Sequence, residues 1–329
     1  MEVDFGLRGA AITAVGEEAA AIEALGFGGV GVTETNGNPF LAAAQAAQAT
    51  SRVRVSTSIA LAFPRTPMDV AYTAWDLQAL AAGRFALGLG TQVRAHVERR
   101  YGAVWSKPAA RMREYVLALH AIWDAWETGG ELRFEGEFFR HTLMPPNFRP
   151  PPAAHPRPPV LLAAVRERMT EVVGEVADGL LGHAFCTPDV LRDVTLPALE
   201  RGIQRGGRAR EDVEVVAGVF VALDDAGWEA NRRRVAFYGS TPGYRHVLDH
   251  HDLGSLFDAL HAASRAGAWK DMPALVDDDV LALFCVRGDD PAAVAAEVRA
   301  RVGGLADRVA LVAEDTPASA IAPVAAALR

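Results

Sequence analysis

Strand-like and helix-like segments alternate along this chain almost without a break, and that rhythm restricts the fold more than any other feature. The first unit is "VDFGLRG" followed by "GEEAAAIEALGF", whose apolar residues recur at three- and four-residue spacing. "GGVGVTE" precedes the helical "NPFLAAAQAAQAT", with Pro39 in its first turn, and "RVRVSTSIAL" precedes "MDVAYTAWDLQALA", closed by Gly83. "GRFALGLGTQ" is a fourth strand, followed by a long helix from about Pro108 to Trp126. "ELRFEGEFFR" predicts a small hairpin, and "MPPNFRPPPAAHPRPP" an extended surface connection. The alternation then resumes with "PVLLAA" and "ERMTEVVGEVA", "DGLLGHAF" and "TPDVLRDVTLPALERGIQRG", and "DVEVVAGVFVAL" with a helical region from Asp225 past His251. "VLALFCVRG" with "DPAAVAAEVRARV" makes the last pair. Repeated βα units require a parallel sheet, and eight of them favour a closed (β/α)8 TIM barrel with insertions over an open sheet. Because the rhythm continues on both sides of the Pro-rich stretch, residues 1–329 are expected to form a single domain.

Composition narrows the partners. A net charge of −8 argues against nucleic acid or an anionic membrane surface, while local basic clusters still suit a small anionic molecule. No apolar run approaches the roughly 18 residues that span a bilayer. Met1 leads straight into a strand without a signal-peptide pattern, so a cytoplasmic protein is expected. Two cysteines, Cys186 and Cys285, are too few for a disulfide framework or a zinc site.

The fourth strand ends in Gly88-Leu-Gly90, then turns polar at Thr91 and Gln92. Glycine weakens a strand interior unless something approaches the backbone closely, either a ligand or a neighbouring element. A dinucleotide fingerprint is excluded, because the third glycine is missing and the motif lies on the fourth strand. In a (β/α)8 barrel these residues fall at the functional, carboxyl-terminal mouth. Arg94, Arg99 and Arg100 follow as a basic run, read as a solvated helix face near that mouth. His246 and His250 share a helix face at i,i+4 spacing, but no third ligand or His-Glu-x-x-His pattern accompanies them, so no metal site is expected.

Several stretches, in order and at their spacings, resemble the luciferase-like family, in particular its branch that uses the deazaflavin coenzyme F420. "GFGGVGVTE" resembles that family's second strand with its acidic end, and "STSIALAFPRTPMDVAYTAWDLQALAAGRFALGLGT" its third strand through its fourth. "PVLLAAVRERMTEVVGEVADGLLG" resembles its phosphate-binding strand and helix, and "VAFYGSTPGYRHVL" a late segment of one F420-associated subgroup. The resemblance implies an F420-dependent oxidoreductase moving a hydride to or from a small organic substrate. The alternatives are an FMN-dependent monooxygenase needing a separate flavin reductase, and a non-catalytic ligand-binding barrel. It also implies a homodimer, for which the small residues of "FLAAAQAAQA" suit close helix contact.

The same resemblance implies a cofactor ring across the barrel mouth, backed by a bulge at Thr57, Ser58 and Ile59, with the Ser58–Ile59 peptide cis. Gly90, Thr91 and Gln92 would lie beside it. Ala164, Val165 and Arg166 would open a helix whose free N–H groups favour a phosphate. Most relatives carry glycine where Arg166 stands, so its side chain either adds a contact to the anionic cofactor or crowds the backbone approach. Glu34 would bond the polar edge of the ring or act as general acid or base, or else pair with a nearby arginine. His183 is the candidate proton donor to a reduced substrate, or a silent structural histidine, and Asn36 and Trp105 are substrate-side candidates. The sugar-phosphate dehydrogenases of the family carry His next to the first acid and a second acid beyond the Gly-x-Gly-Thr turn. Here Gln92 and Val93 stand in the latter place, which argues against that specific activity.

Overall fold

The computed structural model describes residues 1–7, 11–313 and 315–329. Eight parallel strands form its centre: β1 (Glu2–Gly6), β2 (Gly29–Val32), β3 (Arg54–Thr57), β4 (Phe85–Gly90), β5 (Val160–Ala163), β6 (Gly179–Leu181), β7 (Glu214–Ala222) and β8 (Arg308–Val312). Each pairs with the next, and β8 pairs with β1 from Glu2↔Arg308 to Phe5↔Leu311, which closes the sheet into the expected (β/α)8 barrel. Closure leaves no strand edge among the eight, and the helices bury the outer face.

The eighth strand is not the predicted one. "VLALF" is helical, as part of Asp278–Phe284, and only Cys285–Arg287 is extended, pairing with Phe220–Ala222 at the end of β7. Asp277 explains the difference: its Oδ1 accepts the Val280 N–H at 2.8 Å, an N-cap that starts a helix where an apolar run alone is ambiguous. The true β8 follows the Pro291–Val302 helix, and a final helix, Ala318–Leu328, packs against that helix and β1. The first strand was predicted to run through Arg8 and Gly9, which lie outside the described residues.

Four helices begin with the same local device. Asn38, Thr66, Thr187 and Asp290 each precede a proline, and each side chain accepts a backbone N–H of the first turn. Proline has no N–H to leave unpaired there, and the cap supplies an acceptor the helix end lacks. The predicted 187–206 helix is interrupted: Pro188–Val190 passes through a wide turn at Leu191–Thr195 into Leu196–Gly206. The hairpin forms between Phe134–Glu135 and Arg140–His141.

The floor of the barrel is ionic. Asp4 of β1 accepts from Arg54 of β3 at 3.1 Å and from Arg308 of β8, and Arg54 also meets Glu214 of β7 at 2.5 Å. Two acids and two arginines therefore balance across four strands. The Gly28-Gly29 pair leading into β2 makes room: a Cβ on Gly29 would lie 2.3 Å from Asp4 Oδ1, and one on Gly28 2.0 Å from Glu2 Oε2. At the opposite end, residues 225–284 form a mostly helical insertion with its own apolar cluster, in which Phe185 and Phe284 stack with ring centroids 4.3 Å apart.

Removing one member of a buried ion pair strands its partners, at a cost of roughly 3–5 kcal/mol. Asp4→Ala is accordingly expected to lower unfolding stability by about that much in urea titration. A loss below about 1 kcal/mol would mean the floor arginines find water in the folded barrel.

Candidate active site

The third strand stops at Thr57, passes through a cis Ser58–Ile59 peptide at the expected place, and re-forms as Ala60–Leu61, which pairs with Leu89 and Gly90. This detour explains the two glycines of β4. A Cβ on Gly88 would stand 1.8 Å from the Thr57 carbonyl oxygen, and one on Gly90 2.6 Å from Ile59 Cδ1. The close approach is thus made by the neighbouring strand. Thr57 is wholly buried in that contact, its hydroxyl donating to Gly88 O at 2.7 Å and accepting from Gly88 N at 2.9 Å.

Glu34 ties the detour to β2. Its carboxylate forms a two-pronged pair with Arg65 at 2.8 and 2.9 Å, and also accepts from Leu61 N at 2.8 Å and Tyr101 Oη at 3.1 Å. Burial, with Glu34 beside it, raises the Tyr101 phenol above its ordinary range. All four donors come from the protein, and Glu34 does not border the cavity described next.

A cavity of about 530 Å³ opens at the carboxyl ends of the strands and reaches down to Asp4. One side is polar, with Thr33, Thr35, Asn36, Ser56 and Ser58; the other is largely apolar and carries His183, Tyr238 and Arg234. His183 Nδ1 accepts the Phe185 N–H at 2.9 Å, and its ring stands edge-on to Tyr238, centroids 4.3 Å apart, with Tyr244 at 5.0 Å. Burial, and after it the Arg234 charge, pushes the imidazole down to about 4, so the ring is neutral at pH 7. A smaller space of about 30 Å³ adjoins at His183 and Gly182, bordered by Ala164, Val165, Cys186 and His246. Burial pushes the Cys186 thiol up to about 11, which leaves it unreactive as a nucleophile.

The structure brings some candidates together and separates others. Ser58, Asn36 and His183 line the large cavity, and Ala164 and Val165 the small one. Arg166 precedes the Glu167–Val176 helix, and its guanidinium donates to Pro242 O at 2.8 Å and Gly243 O at 3.4 Å, bolting the insertion to that helix start. Gly90, Thr91, Gln92 and Ile59 form the shoulder beside the mouth without bordering either space. Gln92 takes a left-handed φ of 59°, and its side chain accepts from Val93 N at 2.9 Å. Trp105 packs edge-on to Phe63, centroids 5.8 Å apart, instead of overhanging the cavity. Arg94 pairs with Glu98, while Arg100 donates to Thr35 O at 2.8 Å. His246 and His250 diverge, the latter facing Asp193 at 3.6 Å. Among the described residues no cluster of His, Cys, Asp or Glu could hold a metal ion, and no helix is long and apolar enough to cross a membrane.

Arg234, Tyr238 and Asp315 line the cavity without having been singled out. Only "VAFYGSTPGYRHVL" pointed toward Tyr238 and Tyr244, through resemblance. No spacing rule marks an insertion residue that folds back over the mouth.

A parallel barrel with a deep cavity at the strand carboxyl ends is the architecture of a small-molecule enzyme. Residues 3–308 match the luciferase-like monooxygenase family model, and the chain belongs to that family, as an enzyme. It is 48% identical over 299 residues to an uncharacterized protein of Mycobacterium tuberculosis, covering 89% of this chain and 88% of the relative. An F420-dependent glucose-6-phosphate dehydrogenase of Intrasporangium calvum is 30% identical over 238 residues, 69% of this chain and 68% of that one. The coenzyme F420 dependent tetrahydromethanopterin reductase of Methanopyrus kandleri shares the fold, with a TM-score of 0.80 at 21% identity over 98% of this chain and 97% of that one.

The two glycines of β4 make different demands. Gly88→Ala sets a Cβ against backbone and is expected to cost more than about 3 kcal/mol or abolish soluble expression. Gly90→Ala crowds side-chain atoms of Ile59 and touches Ala163, without meeting backbone, and should cost about 1–2 kcal/mol, as overpacking usually does. Urea unfolding of both variants distinguishes them; equal losses would mean that contact with Thr57 O is not what requires glycine.

Proposed function

We propose that this enzyme is an F420-dependent oxidoreductase that passes a hydride between the deazaflavin and a small organic molecule. The observation that carries the reading is the two-sided cavity, polar toward Asn36 and Ser58 and apolar around a neutral His183. A tricyclic ring with one polar edge fits such a space, whose volume lies in the usual range for ligand sites. The F420-dependent name of a relative 30% identical supports the same choice.

The residues present fit the coenzyme's other parts. Ala164, Val165 and the first turn of the Glu167–Val176 helix would hold its phosphate, since N–H groups at a helix start favour an anion. Arg166 adds positive charge there while its guanidinium braces Pro242 and Gly243. Bound in the cavity, F420 supplies or accepts the hydride. Ser58 would back one face of the ring, and Asn36 its polar edge. Glu34 keeps that backing in place through Leu61 and Arg65, so its role here is to position the bulge. His183 presents its ring to the substrate side. The departure at Gln92 and Val93 leaves sugar phosphate outside the proposal.

A ligand that binds only the folded state raises its melting temperature, by an amount equivalent to about 2.7 kcal/mol at a hundredfold excess over Kd. Thermal-shift measurements with F420, FMN and nicotinamide nucleotides are expected to show stabilisation by F420. Stabilisation by FMN alone would replace the proposal with a flavin monooxygenase, and a silent panel would favour a ligand-binding barrel. The proposal includes a homodimer through the Pro39–Ala49 helix, where Leu41 stands exposed. Light scattering at micromolar concentration should give twice the chain mass; the mass of one chain would overturn it.

A further inference from the structure

We propose that the substrate is an uncharged carbonyl compound with an apolar body, whose oxygen is received by the Nε2–H of His183. This deepens the oxidoreductase reading and rests on it.

The tautomer follows from a single contact. A backbone N–H can only donate, so the Phe185 N–H at 2.9 Å requires a lone pair on His183 Nδ1. The one ring proton of a neutral imidazole then sits on Nε2. The ring cannot turn away from this arrangement without disturbing Tyr238 and Tyr244, against which it packs at 4.3 and 5.0 Å. His183 borders the cavity, so the wall carries a fixed N–H donor. Burial and the positive charge of Arg234 both hold the ring neutral.

The surroundings select the rest of the substrate. Leu181, Ala184, Phe220, Leu311 and Val312 border the same side and offer nothing to a second polar group. Arg234 and Asp315 border the same cavity close enough to offset each other, and Asp4 at its base is already paired with Arg54 and Arg308, so no unbalanced charge is left for a charged substrate. A substrate carrying its own charge would lose hydration without a matched partner on the apolar wall.

The chemistry balances with a reduced deazaflavin as the hydride donor. The carbonyl carbon of the substrate gains the hydride, forming a C–H bond as the donor's C–H bond breaks. The C=O π pair moves onto oxygen, where the His183 Nε2–H stabilises the growing charge. Solvent is the net source of the proton that completes the alcohol, because a neutral imidazole holds a single ring proton and must carry it again at the end of each turnover. His183 is thus assigned as a hydrogen-bond donor, where the sequence left a proton donor or a structural histidine open.

The test uses the full chain without added coenzyme and three probes of similar shape: acetophenone, ethylbenzene, which lacks the oxygen, and benzoate, which is charged. Nitrogen-15 NMR of the imidazoles, with the His183 signals assigned by their loss in His183→Gln, should report a neutral Nε2–H tautomer at pH 7. Acetophenone should shift those signals and ethylbenzene should not. His183→Phe should weaken acetophenone binding roughly tenfold, the usual effect of one hydrogen bond. His183→Gln, which keeps an N–H near the same place, should stay within a few-fold of the parent. A charged or Nδ1–H ring, preferential binding of benzoate, or undiminished binding by His183→Phe would overturn the proposal. If His183→Phe fails to fold, the tautomer and the probe shifts in the parent protein decide it. None of these readouts involves F420, so a failure here is distinct from a failure of the cofactor assignment, which the melting temperatures report.

Discussion

Everything in this barrel depends on a charge-balanced floor. Asp4, Arg54, Glu214 and Arg308 come from four strands, including both members of the β1–β8 pairing that closes the cylinder. Buried charges cost several kcal/mol each in lost hydration, and attraction offsets this only when geometry and partner count are right. A one-residue slip of β1 or β8 would turn these side chains to the other face and leave two arginines unmatched. The network is therefore an argument about register more than about net stability. The glycines at the start of β2 belong to the same arrangement, since they leave the space that the acid side chains occupy.

From that floor upward, the mouth is organised by a strand that leaves its line. When β3 turns aside after Thr57, its carbonyl lands where a side chain of β4 would stand, and β4 must be glycine there. The displaced segment is recovered by Glu34, which reaches from the end of β2 to bind Leu61 N and Arg65 together. A carboxylate with four protein donors is costly to release, which suits a positioning part better than a group that must change protonation in each cycle. The polar side of the cavity thus sits on a rigid support.

The other side is supplied by the 225–284 insertion. Its helices bury an apolar cluster of their own against Phe185 and Phe220, and in doing so bring Tyr238, Tyr244 and Arg234 over His183. Arg166 fastens this wall to the start of the helix after β5 through Pro242 and Gly243. The insertion and the helix start after β5 are in this way mechanically joined, although they arise 76 residues apart.

Local chemistry made the barrel legible in advance: eight alternating units, proline-started helices and a strand ending in glycines all act over short range. The polar mouth residues Ser58 and Asn36, and the helix start at Ala164 and Val165, were also readable, because strand ends in a parallel barrel share one rim. What short-range pattern could not distinguish was "VLALF" as helix from the same run as strand, since only the cap at Asp277 and the competing β8 decide it. Nor could sequence assign roles at Glu34 and His183. A carboxylate on a strand end is equally suited to catalysis or pairing until Arg65, Leu61 and Tyr101 are seen to surround it. A histidine is acid, base or donor according to which nitrogen a neighbour occupies, and that neighbour, the Phe185 N–H, is placed by the turn of the folded backbone. Sequence alone determined at which end of the barrel the cavity would open, because strand direction and the βα rhythm are local. Tertiary structure alone decided what each group there can do, because protonation and pairing depend on which partners the closed barrel and its insertion bring within hydrogen-bond reach.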